Sequence, residues 1–253
     1  MKLTAEQIQN NWNNLLSIMD KYISEPRCSE LKSFYEKYAE RIILMPASHK
    51  KEYHNAFPGG YVDHVLRVVD CALKLNNVWV EMGVDTSTYT IEELAFSALN
   101  HDLGKIGDSQ NESYIPQTDQ WRKDKLGEDY TFNSKLPFAS VPDRGLFLLQ
   151  QHGIKYTFNE MITIQTHDGL YDEGNKKYLM TFLPEQKPRT SLPFIIHQAD
   201  LMAARIEFEK AWLPKLNSLD PPESKIETKK QPIKTKALGQ IKSEGLKNIF
   251  DKL

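Results

Sequence analysis

Apolar residues recur at helical spacing along most of the chain. Thr4 to Gln7 carries the signature of a capping box, followed by Ile8, Trp12, Leu15, Leu16 and Met19. Pro26 suits the first turn of a second helix running to about Ile43. Gly59-Gly60 opens a third, whose positions Val62, Val65, Leu66, Val69, Ala72 and Leu73 follow the same period. Thr90 to Glu93 is another capping box, starting a helix that ends at His101-Asp102. Helices resume around Asp143–His152 and Asn159–Asp168, and the last strong one runs from Leu192 to Trp212. Strand signals are weak, so the pattern predicts an all-α fold.

Two stretches break the rhythm. Residues 104 to 141 are polar and carry Pro116, Gly127 and Pro137, which predicts a long loop inserted over one end of a helical bundle. From Asn217 the chain turns Pro- and Lys-rich, the composition of a flexible linker, and ends in the amphipathic stretch LGQIKSEGLKNIFDKL. The expected organisation is N-terminal helices over 1–45 packed on a core domain at 46–216, with a tail at 217–253.

Composition narrows the function. A formal net charge of −2 over 253 residues argues against binding duplex nucleic acid through bulk charge. Two cysteines, Cys28 and Cys71, with no CxxC, argue against a disulfide framework or a thiolate zinc site. The polar N-terminus lacks the apolar core of a signal peptide, and no run approaches the ~18 apolar residues of a membrane span. A cytoplasmic protein that does not enter membranes is the expectation.

The chemistry lies in inward-facing polar residues. Behind Asp102 on its helix stand Leu99, Ala98, Ala95 and Leu94, so its carboxylate projects from the apolar side. A buried carboxylate must be paired, protonated or metal-bound. His101 is its neighbour, and adjacent helical side chains diverge by ~100°. The two can share an ion only at a helix end, where Gly104 provides a stop. His64 lies in the apolar stripe Val68, Cys71, Leu75, and Asp200 lies among Ile196, Ala203 and Ala204. Alone, His64 reads as a hydrogen-bonded core histidine, and Asp200 as the partner of Arg205 or Arg67. Together, two carboxylates and two histidines on apolar helix faces demand cations. His152 and His167 each end a helix and would extend the set to two ions, unless they merely favour the helix dipole. Imidazole and carboxylate ligands suit Mn, Fe, Ni, Co or Zn rather than Ca.

These residues resemble the H…HD…D signature of the HD-domain superfamily of metal-dependent phosphohydrolases. HDLGK at 101–105 looks like its most recognisable segment. YHNAFPGGYVDH at 53–64 is similar to the region of the first ligand in HD-domain 3′→5′ exoribonucleases. His152 and His167 resemble additions of the binuclear branch. The chain departs from cyclic-di-GMP phosphodiesterases in lacking their HHE and GYP elements, and it has no N-terminal nucleic-acid-binding barrel of the exoribonuclease type. The resemblance implies an HD-domain helical bundle that hydrolyses a phosphoester or phosphoanhydride of a nucleotide or short oligonucleotide. His64, His101, Asp102 and Asp200 would hold one ion; Asp102, His152 and His167 would hold a second. Lys105 would reach a substrate oxyanion. His54 is a candidate contact to substrate or metal-bound water, and Tyr171 and Tyr178 are candidates for base stacking. His197 would support the ligands or fill the core, and His49 is expected in solvent.

Two other readings compete. The ligand pattern also resembles mixed-valent di-iron oxygenases such as inositol oxygenase. LKNIFDKL also looks like a short partner-binding peptide of replication-associated proteins, so residues 238–253 are a candidate protein-docking segment, or pack back on their own domain.

Overall fold

The computed structural model describes residues 3–50, 54–211 and 213–214, so the expected linker and tail lie outside the described residues. Helix α1 (Ala5–Tyr22) starts at the expected capping box, with the Thr4 side chain accepting from the Gln7 N–H. It buries Trp12, Leu15 and Met19. The second expected helix is two: α2 (Arg27–Lys37) and α3 (Ala39–Leu44) are separated at Tyr38, whose φ of −108° and ψ of 15° leave the helical range. The Tyr38 ring packs on Phe34 and on His152, and this contact accompanies a break that helical periodicity does not register. Helix α4 (Gly60–Glu81) follows, then α5 (Ile91–Asn100), α7 (Val141–Gln151), α8 (Phe158–Thr166), the short α9 (Lys176–Leu179) and α10 (Leu192–Ala211). The fold is all-α, with α4 and α10 as its most closely packed helix pair.

The 104–141 segment is not structureless. A 3-10 turn over Leu103–Ile106 leads into strand β1 (Tyr114–Pro116), helix α6 (Gln120–Leu126) and strand β2 (Tyr130–Phe132). The two strands pair antiparallel, Tyr114 opposite Phe132. His49 rests against this hairpin, its ring 4.5 Å from Phe132 and 6.1 Å from Tyr114, and so is half-buried rather than in solvent. Among the described residues no helix is long and apolar enough to cross a membrane.

One polar network sets the helices that matter most. The Arg27 guanidinium binds Glu92 at 2.5 Å and Glu160 at 2.8 Å, and lies 4.4 Å over the Phe96 ring. Glu160 and Glu93 close the capping boxes that begin α8 and α5, and Thr157 Oγ1 reaches Glu93 at 2.7 Å. The two helices therefore start side by side, tied to α2.

Candidate metal centre

Helices α5 and α8 deliver the same device at their far ends. Each finishes in a His-Asp pair, His101-Asp102 and His167-Asp168. Both histidines keep helical dihedrals as the last residue of the helix (φ −54° and −59°), and each Nδ1 donates to the carbonyl three residues back. His101 bonds Ala98 O at 2.8 Å and His167 bonds Ile164 O at 2.8 Å. That bond fixes the tautomer and leaves Nε2 with its lone pair outward. Helix C-termini carry partial negative charge, so two of them with two aspartates make a strong attractor for a cation.

The remaining walls come from α4 and α10. His64 is fully buried on α4, and its Nδ1 lies 3.2 Å from both oxygens of Glu207. Arg67 Nε holds Glu207 at 3.1 Å. Carboxylate behind imidazole is the usual support for a metal-bound histidine. Asp200 stands two turns before Glu207 on the same face of α10. Neither arginine proposed for Asp200 serves it, since Arg67 binds Glu207 and Asp63 while Arg205 binds Glu209 at 2.9 Å.

The donor atoms converge. His64 Nε2 is 3.1 Å from Asp200 Oδ1 and 3.7 Å from Asp102 Oδ2. His101 Nε2 is 3.5 Å from Asp102 Oδ2 and 3.9 Å from Asp200 Oδ1. His167 Nε2 is 3.6 Å from Asp102 Oδ1 and 3.6 Å from Asp168 Oδ1. Yet Nε2 of His64 and of His101 is buried and makes no hydrogen bond. Ligands roughly 2.0–2.2 Å from one ion stand roughly 3–4 Å from each other, which is the spacing seen. Among the described residues, four overlapping groups could hold a metal ion: His54, His64, Asp102; His64, His101, Asp200; His101, Asp102, His167; and His167, Asp168, Asp200. The two oxygens of Asp102 divide between them, Oδ2 toward His64 and His101 and Oδ1 toward His167.

Without a cation the protons must balance the cluster. Burial alone would lower the His64 imidazole, but Glu207 and Asp200 push it up to about 10. Burial likewise opposes, and Asp168 and Asp102 override, so that His167 rises to about 9. Asp200 is driven below its usual range against its burial by the three imidazoles, and Asp102 well below by Lys105 and His101. Lys105 is largely buried and donates to Asp102 Oδ2 at 2.5 Å, and that carboxylate, against the burial, holds the ammonium charged.

Two expected residues, His152 and Tyr178, fall elsewhere, and His197 takes one of its two expected roles. His152 is not part of the cluster. Its Nδ1 faces Leu148 O at 3.0 Å, its Nε2 lies 3.3 Å from Lys37 Nζ and from Tyr38 OH, and its ring packs edge-on against Phe34. The reason is that α7 ends against α2 rather than against the ligand helices. Tyr178 lines a separate surface pocket with Asp143 and Met161. His197 supports the centre from behind, its Nδ1 donating to His167 O at 2.9 Å. Gly169 makes this possible: at φ +58° its ideal Cβ would lie 2.1 Å from the His197 ring. Asp168 and Glu207 were not anticipated. Asp168 repeats the His-Asp pair of 101–102, and Glu207 lies seven residues past Asp200, so both left a signal.

A cleft of about 500 Å³ opens onto the cluster, lined by His54, Asp168, Tyr171, His197, Asp200, Leu201, Ala204 and Phe208. Tyr171 is exposed in it and Phe208 half-buried. Comparison with known proteins finds no matching family model, curated protein or solved structure.

Proposed function

We propose that the chain is a metal-dependent phosphohydrolase of the HD-domain type, cleaving a phosphoester or phosphoanhydride of a nucleotide or short oligonucleotide. The observation that carries this reading is the set of imidazoles with Nδ1 anchored and Nε2 close to the buried Asp102 and the half-buried Asp200, beside a cleft. His64, His101, Asp102, His167 and Asp200 would hold one or two divalent ions of Mn, Fe, Ni, Co or Zn. Such ions polarise a phosphoryl group and bring the pKa of a bound water toward ~7.

The chain's own groups supply the rest. Lys105, held charged by Asp102, is the cation nearest the ligands and can turn to a phosphoryl oxygen. The Tyr171 and Phe208 rings offer a base apolar faces within the cleft. Leu201 and Ala204 add apolar surface to the wall of the cleft. The test is metal analysis of the purified protein, then an anaerobic screen of nucleotides, cyclic dinucleotides and short oligonucleotides with each metal. Asp102→Ala is expected to lose both metal and activity while keeping its helical circular dichroism. Wild-type hydrolysis by that variant would overturn the proposal, and oxygen consumption with a mixed-valent iron EPR signal would replace it with an oxygenase.

A further inference from the structure

His54 precedes the ligand helix, and the structure fastens the loop that carries it onto that helix. Asn55 takes a left-handed backbone, φ 46°, the uncommon region that Asn tolerates better than most residues. Its carbonyl accepts from the N–H groups of Ala47 and Phe57 at 3.1 and 2.9 Å. Its side chain donates to Asp63 Oδ2 at 2.9 Å, on the first turn of α4. Gly60 completes the lock, because a Cβ there would lie 2.0 Å from Asn55 O. The loop is thus pinned to the turn that also presents His64, and the two rings lie 4.5 Å apart.

His54 lines the cleft, but its Nε2 does not face it. That atom is shut off from solvent and has no hydrogen-bond partner. Donor atoms of His54, His64 and Asp102 lie within 4.8 Å of one another. A substrate entering the cleft cannot reach the buried nitrogen, whereas an ion held by His64 and Asp102 would lie beside the His54 imidazole. An imidazole nitrogen buried bare is costly unless something binds it. We propose that His54 is a metal ligand, sharing an ion with His64 and Asp102. The inference rests on the metal-centre reading above and adds a ligand to it.

The test uses the full-length protein loaded with Co(II). Metal content, Co(II) affinity and the paramagnetically shifted imidazole NH signals are compared for wild type, His54→Gln, His152→Gln and Asp102→Ala. His54→Gln is expected to lose one shifted imidazole signal and to bind Co(II) about 10-fold or more weakly, while His152→Gln matches wild type. His54→Gln with wild-type affinity and all its shifted signals would overturn the inference, even if activity fell, and would make His54 a substrate contact. Wild-type protein that binds no Co(II) would instead overturn the metal centre itself, and the inference with it. Should His54→Gln fold poorly, assignment of the shifted signals in wild type decides the matter alone, since a His54 resonance either is or is not among them.

Discussion

Glu207 touches no proposed substrate, yet its carboxylate decides which nitrogen His64 presents. With Nδ1–H directed at Glu207, Nε2 stays free for an ion, and Arg67 keeps the carboxylate in place. Glu207→Ala is therefore expected to weaken divalent-metal binding about 10–100-fold with the helix intact, as measured by calorimetric titration. Much of the cluster was legible residue by residue. His64, Asp102 and Asp200 interrupt apolar stripes, and a helix face that is otherwise oily marks an inward polar group. His152 shows the limit of that reasoning. A histidine closing a helix looks the same in sequence whether its ring meets ligands or, as here, an aromatic pair on α2. Only the neighbour of the helix end decides, and that neighbour is set by packing.

At the scale of elements, α5 and α8 work as a matched pair. Their starts are joined through Arg27, and their ends carry the two His-Asp pairs. Glu160 is fully buried, and burial pushes its carboxyl up to about 7 even beside Arg27, so removing that cation leaves a buried group that must take up a proton or stay charged without a partner. Arg27→Ala is expected to cost about 3–5 kcal/mol in urea denaturation. It should also loosen metal binding by splaying the two helix ends, although Arg27 belongs to the opposite end of those helices. The Thr90–Glu93 capping box made the start of α5 readable from sequence, whereas the Thr157–Glu160 box that starts α8 emerged only from the structure. The β1–β2 hairpin was not readable, because three-residue strands are too short to show alternation, and its partner contacts come from His49, far back in the chain.

For the whole molecule, the cluster links folding to pH and to metal. His64 and His167 are raised above the ordinary histidine value of 6.5, so the stability they give is complete below about pH 6.5 and is lost as pH climbs through 9 to 10. Asp200 and Asp102 are lowered, and their contribution holds above 3.8 and fades as acid protonates them. The groups titrate together, so each step belongs to the cluster. Protein stripped with a chelator is expected to show a Tm that peaks between pH 4 and 6.5 and falls toward pH 10. A divalent ion replaces those protons, so the Tm gained on adding Mn(II) or Co(II) should grow from pH 6 to pH 9. A gain independent of pH would place the ion away from these histidines.

The donors are scattered from His64 on α4 to Asp200 on α10, and α10 is the last helix to be made among the described residues. A ribosome-bound chain lacking α10 has its imidazoles but neither Asp200 nor the Glu207 that orients His64. Ion capture in the geometry described here therefore waits until α10 has been made. A truncation ending before Leu192 should be synthesised without either ligand group that includes Asp200, and with His64 unsupported by Glu207, however well its earlier helices form.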